Sequence, residues 1–219
     1  MQGLAVTETI NTIAEAERRF GLSRSTFKDF FTEWRDQLPD INSSDRTNLE
    51  TLWQRYIYHR SSGQLLESTV MLLLVSPLLT IAGLYDPPFL IKAEESVQIA
   101  VSDSEATLQG RIDLLVLCDR LWVVVLESKK TMLSVWSALP QTLAYLMANS
   151  NSDSTHPAGN CPTFGMLTNG DEIVFVKLEG KCYAMSQVFS PLVTQSELEV
   201  TCQVLRKIAE SVACDLQKA

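Results

Sequence analysis

The sequence has two histidines, no C-x-x-C cysteine pair and no glycine-rich phosphate loop. Its five cysteines (Cys118, Cys161, Cys182, Cys202 and Cys214) are scattered and odd in number, which argues against a zinc ribbon or a disulfide framework. Cys118, at the end of an apolar run, reads as a small buried hydrophobe. Without a P-loop or a G-x-G-x-x-G fingerprint, no nucleotide-driven motor is encoded here. No repeat and no sustained heptad pattern is present.

Basic charge is scarce too. Eighteen Lys and Arg stand against 26 Asp and Glu, giving a net charge of −8. That disfavours nucleic-acid binding through a broad basic surface, because phosphate contacts supply most non-specific affinity. No basic-then-apolar leader pattern is seen, so with the unpaired cysteines a cytoplasmic location is expected. The one long apolar run, residues 65–85, approaches membrane length, but Glu67 and Pro77 interrupt it and no basic cluster flanks it. A buried core helix, and no membrane span, is the expectation.

With 46% hydrophobic and 20% charged residues, the chain suits one compact domain, 63–219, carrying an N-terminal helical extension, 1–62. Residues 5–19 read as an amphipathic helix capped by Thr7 or Thr9 and broken at Gly21. A second helix is expected from Ser25 or Thr26 through Phe27, Phe30, Phe31 and Trp34. This pair can be read as two packing helices. It also has the look of a helix-turn-helix reading DNA through Arg24, Ser25 and Lys28. A third helix spans Arg46–Arg60, with Leu49, Leu52, Trp53, Tyr56 and Ile57 on one face. His59 suits that helix's C-terminal dipole.

Phe89–Ala93 and Ser96–Val101 read as strand pieces after the Asp86-Pro87-Pro88 turn. A helix from Ser134 to Asn149 must be kinked by Pro140 or hold it in its first turn. Gln141 and Tyr145 then share a helix face. A polar loop including His156 follows. Phe164–Thr168, Glu172–Leu178 and Lys181–Gln187 are strand-like, with turns at Asn169-Gly170-Asp171 and Glu179-Gly180. Gln195–Leu216 is an amphipathic helix.

The centre of the chain is the pair of apolar runs Ile112–Leu117 and Leu121–Leu126, separated by Asp119-Arg120. Neither alternates, so both read as hairpin strands buried on two faces. Yet the first carries Asp113, and the second runs into Glu127-Ser128-Lys129. Carboxylates there cost several kcal/mol unless compensated, and a hard divalent cation is one compensation. Glu127 and Lys129 share a face. Asp113 joins it only in even register, which calls for an odd-length loop such as Asp119-Arg120-Leu121. The alternative compensation is a salt-bridged strand end, Asp113–Lys129 or Glu127–Arg111.

The spacing Asp113–x13–Glu127–x–Lys129 resembles the core of the PD-(D/E)xK, or restriction-endonuclease-like, nuclease superfamily. Gly110-Arg111-Ile112-Asp113 is similar to its G-x-x-D turn, and Gln141-x-x-x-Tyr145 to the helix motif of its RecB-like branch. The wording around these motifs is also similar to cyanobacterial restriction endonuclease R-subunit-like proteins. The resemblance runs from about Gln64 to Lys177. It implies an α/β fold with a mixed β-sheet flanked by helices. It implies Mg2+ or Mn2+ held by Asp113, Glu127 and the Ser128 carbonyl, with Lys129 at the attacking water. Glu67 matches the acid that such folds present from the preceding helix, while Gln141 and Tyr145 would position Lys129 and the DNA backbone. DNA is the implied substrate, with helicase, translocase or specificity subunits, or a second copy, as partners. The other reading is an inactive module on the same fold that binds nucleic acid or a partner protein.

Overall fold

The apolar runs of the sequence form the middle of a sheet covered on both faces. The computed structural model describes residues 4–100, 107–118, 121–128, 130–151 and 162–216. At residues 4, 7, 100, 121–128, 149–151 and 213–216 it describes the backbone alone.

In chain order the strands are β1 (Leu4–Ala5), β2 (Ser23–Arg24), β3 (Phe89–Ala100), β4 (Thr107–Cys118), β5 (Leu121–Ser128), β6 (Thr163–Thr168), β7 (Ile173–Glu179) and β8 (Cys182–Met185). The helices are α1 (Val6–Thr9), α2 (Ile13–Phe20), α3 (Ser43–Ser61), α4 (Glu67–Val70), α5 (Ser76–Ala82), α6 (Leu139–Asn151) and α7 (Gln195–Leu216). The sheet runs β1-β4-β5-β6-β7-β8-β2, with β3 on the other side of β4. It is mixed: β4 runs antiparallel to both β3 and β5, and β6 lies parallel to β5 after α6. One core packs Leu49, Tyr56, Leu74 and Leu205 from α3 to α7 against Leu114, Met166 and Phe175. The other packs Ala16, Phe20, Leu143 and Leu146 from α2 and α6 against Leu115, Leu167 and Val176. Coverage on both faces explains why the central strands do not alternate. This is the α/β architecture expected from the sequence, a mixed sheet flanked by helices.

The N-terminal residues differ from expectation. The helix expected over 5–19 is split into α1 and α2, and the cap of α2 is Thr12, whose hydroxyl accepts from Glu15 N at 3.2 Å. The second helix does not form, and the helix-turn-helix reading falls with it. Ser23 N and Ser25 N instead donate to the carbonyls of Lys181 and Tyr183, extending the sheet along β8. The Ser25 hydroxyl accepts from Phe27 N, a local bond that competes with a helical turn. Phe31 still reaches the core, but Phe27 is 81% exposed. Lys177 clamps this segment, with Nζ 2.7 Å from Glu33 and between the rings of Phe30 and Phe164.

α3 begins at its Asn42 cap, which accepts from Asp45 N at 2.9 Å. The expected core helix over 65–85 is α4 and α5 joined by a π-helical turn, Met71–Val75. Pro77 has no N–H to offer, and the wider turn ahead of it takes up the mismatch. Among the described residues no helix is long and apolar enough to cross a membrane. Pro140 sits in the first turn of α6, behind a short 3-10 turn, Val135–Ala138. The loop around His156 lies outside the described residues. At the β6–β7 turn, Asp171 accepts from Tyr56 Oη at 3.0 Å and pairs with Arg60 at 2.8 Å. Gly170, at φ 89°, leaves the room the Tyr56 hydroxyl needs.

The central hairpin corrects one expectation. Cys118 pairs with Leu121, so the connection is two residues, not an odd number. A register shift between Val116 and Leu117 pairs Val116 with Val124 but Leu117 with Trp122, leaving Val123 extra. This β-bulge restores the even register that the short loop would have lost. Leu114 then pairs with Leu126, where the β4–β5 ladder ends.

Cys202 is fully buried on α7, and burial pushes its thiol from an ordinary 9.0 up to about 11. The folded thiol keeps its proton at higher pH than the unfolded one. The stability it contributes is therefore complete below pH 9 and is lost as pH rises from 9 towards 11, by about 1.4 kcal/mol per unit. Urea unfolding across that window should show a shallower decline for Cys202→Val than for the wild type. Tyr56 and Tyr183, both also raised by burial, cancel in that comparison.

Candidate functional site

The strand pair β3–β4 changes its allegiance in the middle. On β4, Leu108 and Ile112 lie in the core under α6, whereas Leu114 and Val116 lie in the core under α3 and α5. Two residues apart on one strand should face the same way, so the backbone turns over between Ile112 and Leu114. Asp113 is the residue at that point and is half-buried. Across the ladder, Glu94 lies between the pairs Ala93–Leu114 and Glu95–Ile112 and takes φ 53°. A left-handed backbone at a non-glycine residue costs about 1 kcal/mol and marks local strain. The two expected strand pieces are thus one strand, β3, kinked at Glu94.

The far edge of β4 is shared. β1 covers it at Leu108 and Gln109, and β5 covers it from Leu114 onward. Beside the stretch left between them, Gly110–Asp113, opens a cavity of about 540 Å³. Its walls include Asp113, Arg111 and Gly110 from β4, Ser96 and Gln98 from β3, and Gln141 and Tyr145 from α6.

The α6 residues are placed by a close approach. Tyr145 is 1% exposed, and its hydroxyl donates to the Arg111 carbonyl at 3.2 Å. A Cβ on residue 110 would meet the Tyr145 ring at 2.6 Å. Gly110 is therefore inside β4 rather than in the expected turn, and its role is to let the tyrosine ring lie on the strand. Gln141, one helical turn before Tyr145, is half-buried on the same wall.

Glu67 is the first residue of α4 and half-buried, and it is not on this cavity wall. The segment just ahead of it is tied to the chain that follows β5. Thr131 N donates to the Leu65 carbonyl at 3.3 Å, and Leu65 N donates to Thr131 Oγ1 at 3.2 Å. That fixes the start of α4 against the chain leaving β5. The side chains of Glu127 and Ser128, and Lys129 altogether, lie outside the described residues. Arg111 pairs with Glu94 at 3.5 Å, both side chains being largely exposed. Among the described residues no group of three or more His, Cys, Asp or Glu could hold a metal ion.

Sequence reasoning missed Ser96, Gln98 and Gln109. The signal was there, in the alternation of Gln98 with buried Val97 and Ile99 and of Gln109 with buried Leu108.

No family model matches the chain, and no curated protein does. Among solved structures it is similar to a fragment of a protein assigned as the HsdR subunit of a type I restriction enzyme from Vibrio vulnificus YJ016. That match has a TM-score of 0.39 and 19% identity, covering 64% of this chain and 26% of that one. The chain thus spans about a quarter of the length of the structure it matches.

If Tyr145 needs the space above Gly110, the two positions are coupled. Gly110→Ala should destabilise the fold by about 1–3 kcal/mol through overpacking. In the Tyr145→Leu background the same change should cost much less. A denaturation double-mutant cycle measures this, and simple additivity would show that the contact is not the reason for the glycine.

Proposed function

We propose that this chain is a metal-dependent deoxyribonuclease, acting in a restriction, defence or repair setting. The observation that carries the reading is the convergence of Asp113, Gln141 and Tyr145 on one cavity, with Glu127 expected to join them from the end of β5. The donor set fits a hard cation. It comprises carboxylate oxygens from Asp113 and Glu127 and the Ser128 carbonyl, beside a cavity open enough for retained water. Mg2+ or Mn2+ bound there would polarise the scissile phosphate and acidify water.

The chain's own groups do the rest. Lys129, on the face of Glu127, orients the attacking water, helps take its proton and neutralises charge developing at the phosphate. Tyr145, held on Gly110 and bonded to the Arg111 carbonyl, fixes the β4 backbone just ahead of Asp113. Gln141 lies one turn away to position Lys129 or the substrate backbone. Glu67, at the start of α4, would be a further acid for a second ion. In this reading 63–219 carries the nuclease residues, while 1–62, expected as a helical extension, adds β1, β2 and α3 to the same sheet and core. Translocation and sequence search, where needed, come from helicase, translocase or specificity subunits, or from a second copy.

The net charge of −8 favours a second reading, a non-cutting module that binds nucleic acid or a partner protein. The two part on metal binding, which a catalytic site requires at Asp113 and Glu127.

Purified protein should cut plasmid and linear DNA in Mg2+ or Mn2+. Glu127→Ala and Lys129→Ala should each lower the rate by roughly 100-fold or more, with unchanged circular dichroism. Cutting by Glu127→Ala at the wild-type rate would remove the assignment. Absence of both cutting and Mn2+ binding in the wild type would favour the module.

A further inference from the structure

Ser96, Gln98, Gln109 and Arg111 form one exposed wall of the same cavity. They are cross-strand neighbours: Gln98 pairs with Gln109 and Ser96 with Arg111 on the antiparallel β3–β4 ribbon. Directly opposed side chains on one ribbon face lie close enough to act together. The opposite face of the ribbon is anchored, since Val97, Ile99, Leu108 and Ile112 are buried in the α6 core. The wall is thus rigidly backed and polar.

Its charge is unusual for a surface beside a phosphodiester. The amides and the hydroxyl are neutral, and Glu94, 3.5 Å from Arg111, offsets much of the one cation. Such a wall makes a poor phosphate cradle, which needs net positive charge. It offers paired hydrogen-bond donors and acceptors instead. A nucleobase edge presents that pattern: glutamine matches the N6 and N7 of adenine, and arginine the O6 and N7 of guanine.

We infer that Gln98 and Gln109, with Arg111 beside them, are specificity-determining residues that read base edges of duplex DNA next to the bond being cut. This rests on the nuclease reading for the place of cleavage, but the reading of bases is separable from it. The wall hydrogen-bonds one or two base pairs, and the strand continues past Asp113.

The test uses the full chain and a pool of linear duplexes with a randomised tract. Limited digestion in Mg2+, followed by sequencing of the new ends, should show a base preference beside the cut for the wild type. Gln98→Leu/Gln109→Leu should reduce that preference roughly tenfold, since one good bidentate contact discriminates by about that much or more. Gln98→Glu should shift it towards cytosine, whose N4 donates to a carboxylate, an outcome that mere structural damage would not give. If the wild type does not cut, the same pool is bound in Ca2+ and the retained duplexes are sequenced. A preference in the bound fraction that the double variant loses keeps the wall and removes the nuclease. A wild type without preference in either format, or a double variant with the wild-type preference, overturns the inference.

Discussion

A carboxylate has to be placed in the middle of a strand that the sheet buries on both faces, and much of the structure around the cavity follows from how that is done. Left inside a straight strand, Asp113 would be enclosed by apolar side chains at a cost of several kcal/mol. The β3–β4 pair instead turns over at this residue. Ile112 stays with the α6 core and Leu114 joins the α3–α5 core, so Asp113 falls at the crossing point and keeps partial access to water. The partner strand meets the same turn by putting Glu94 into the left-handed region. A penalty of about 1 kcal/mol at Glu94 is small beside that of burying the carboxylate, and the apolar burial on both sides of the kink holds it in place.

The same logic governs the neighbouring strand. Two residues between Cys118 and Leu121 make the tightest connection, but alone they would leave position 127 out of step with Asp113. The extra residue at Val123 moves the correction from the loop into the ladder. A bulge also increases local twist, and it sits five residues before the end of β5 at Ser128. Loop length and bulge act as one device here, with register at the strand end as what they jointly fix.

This division explains what the sequence made legible. Long apolar runs and helical periodicity placed β4 to β8 in outline, α3 and α7, because burial on one or both faces imposes those patterns directly. Helical spacing put Gln141 and Tyr145 on one face, the resemblance joined Asp113 to them, and the three do share a cavity. The bulge could not be read, since Val123 is as apolar as its neighbours and nothing in Trp122-Val123-Val124 marks one as extra. The missing helix over 25–34 misled for a related reason. Aromatics at Phe27, Phe30, Phe31 and Trp34 have helical spacing, but backbone bonds from Ser23 and Ser25 to Lys181 and Tyr183, 158 positions away, won. Local propensity has no access to such long-range pairing. Gly110 carried its reason only once the Tyr145 ring was seen against it.

The acidity of the chain takes on a different meaning once the cavity wall is considered. A protein at −8 cannot draw its hold on DNA from counterion release over a broad basic face. On the proposed reading, attraction is confined to the cleavage point, where a cation and Lys129 meet the phosphate, while the ribbon beside it contributes neutral hydrogen bonds. Neutral amides discriminate between bases without adding to affinity for every phosphate, so a net negative surface suppresses unspecific binding and leaves the contacts that choose. That economy works only if the amides are held still, because a flexible glutamine forfeits in entropy much of what its hydrogen bonds return. The buried residues on the reverse of the ribbon, Val97, Ile99 and Leu108, hold the backbone that carries them. The core under α6 and the wall above it are thus two faces of the same strand pair, and the packing of the first is what makes the second a surface capable of choosing.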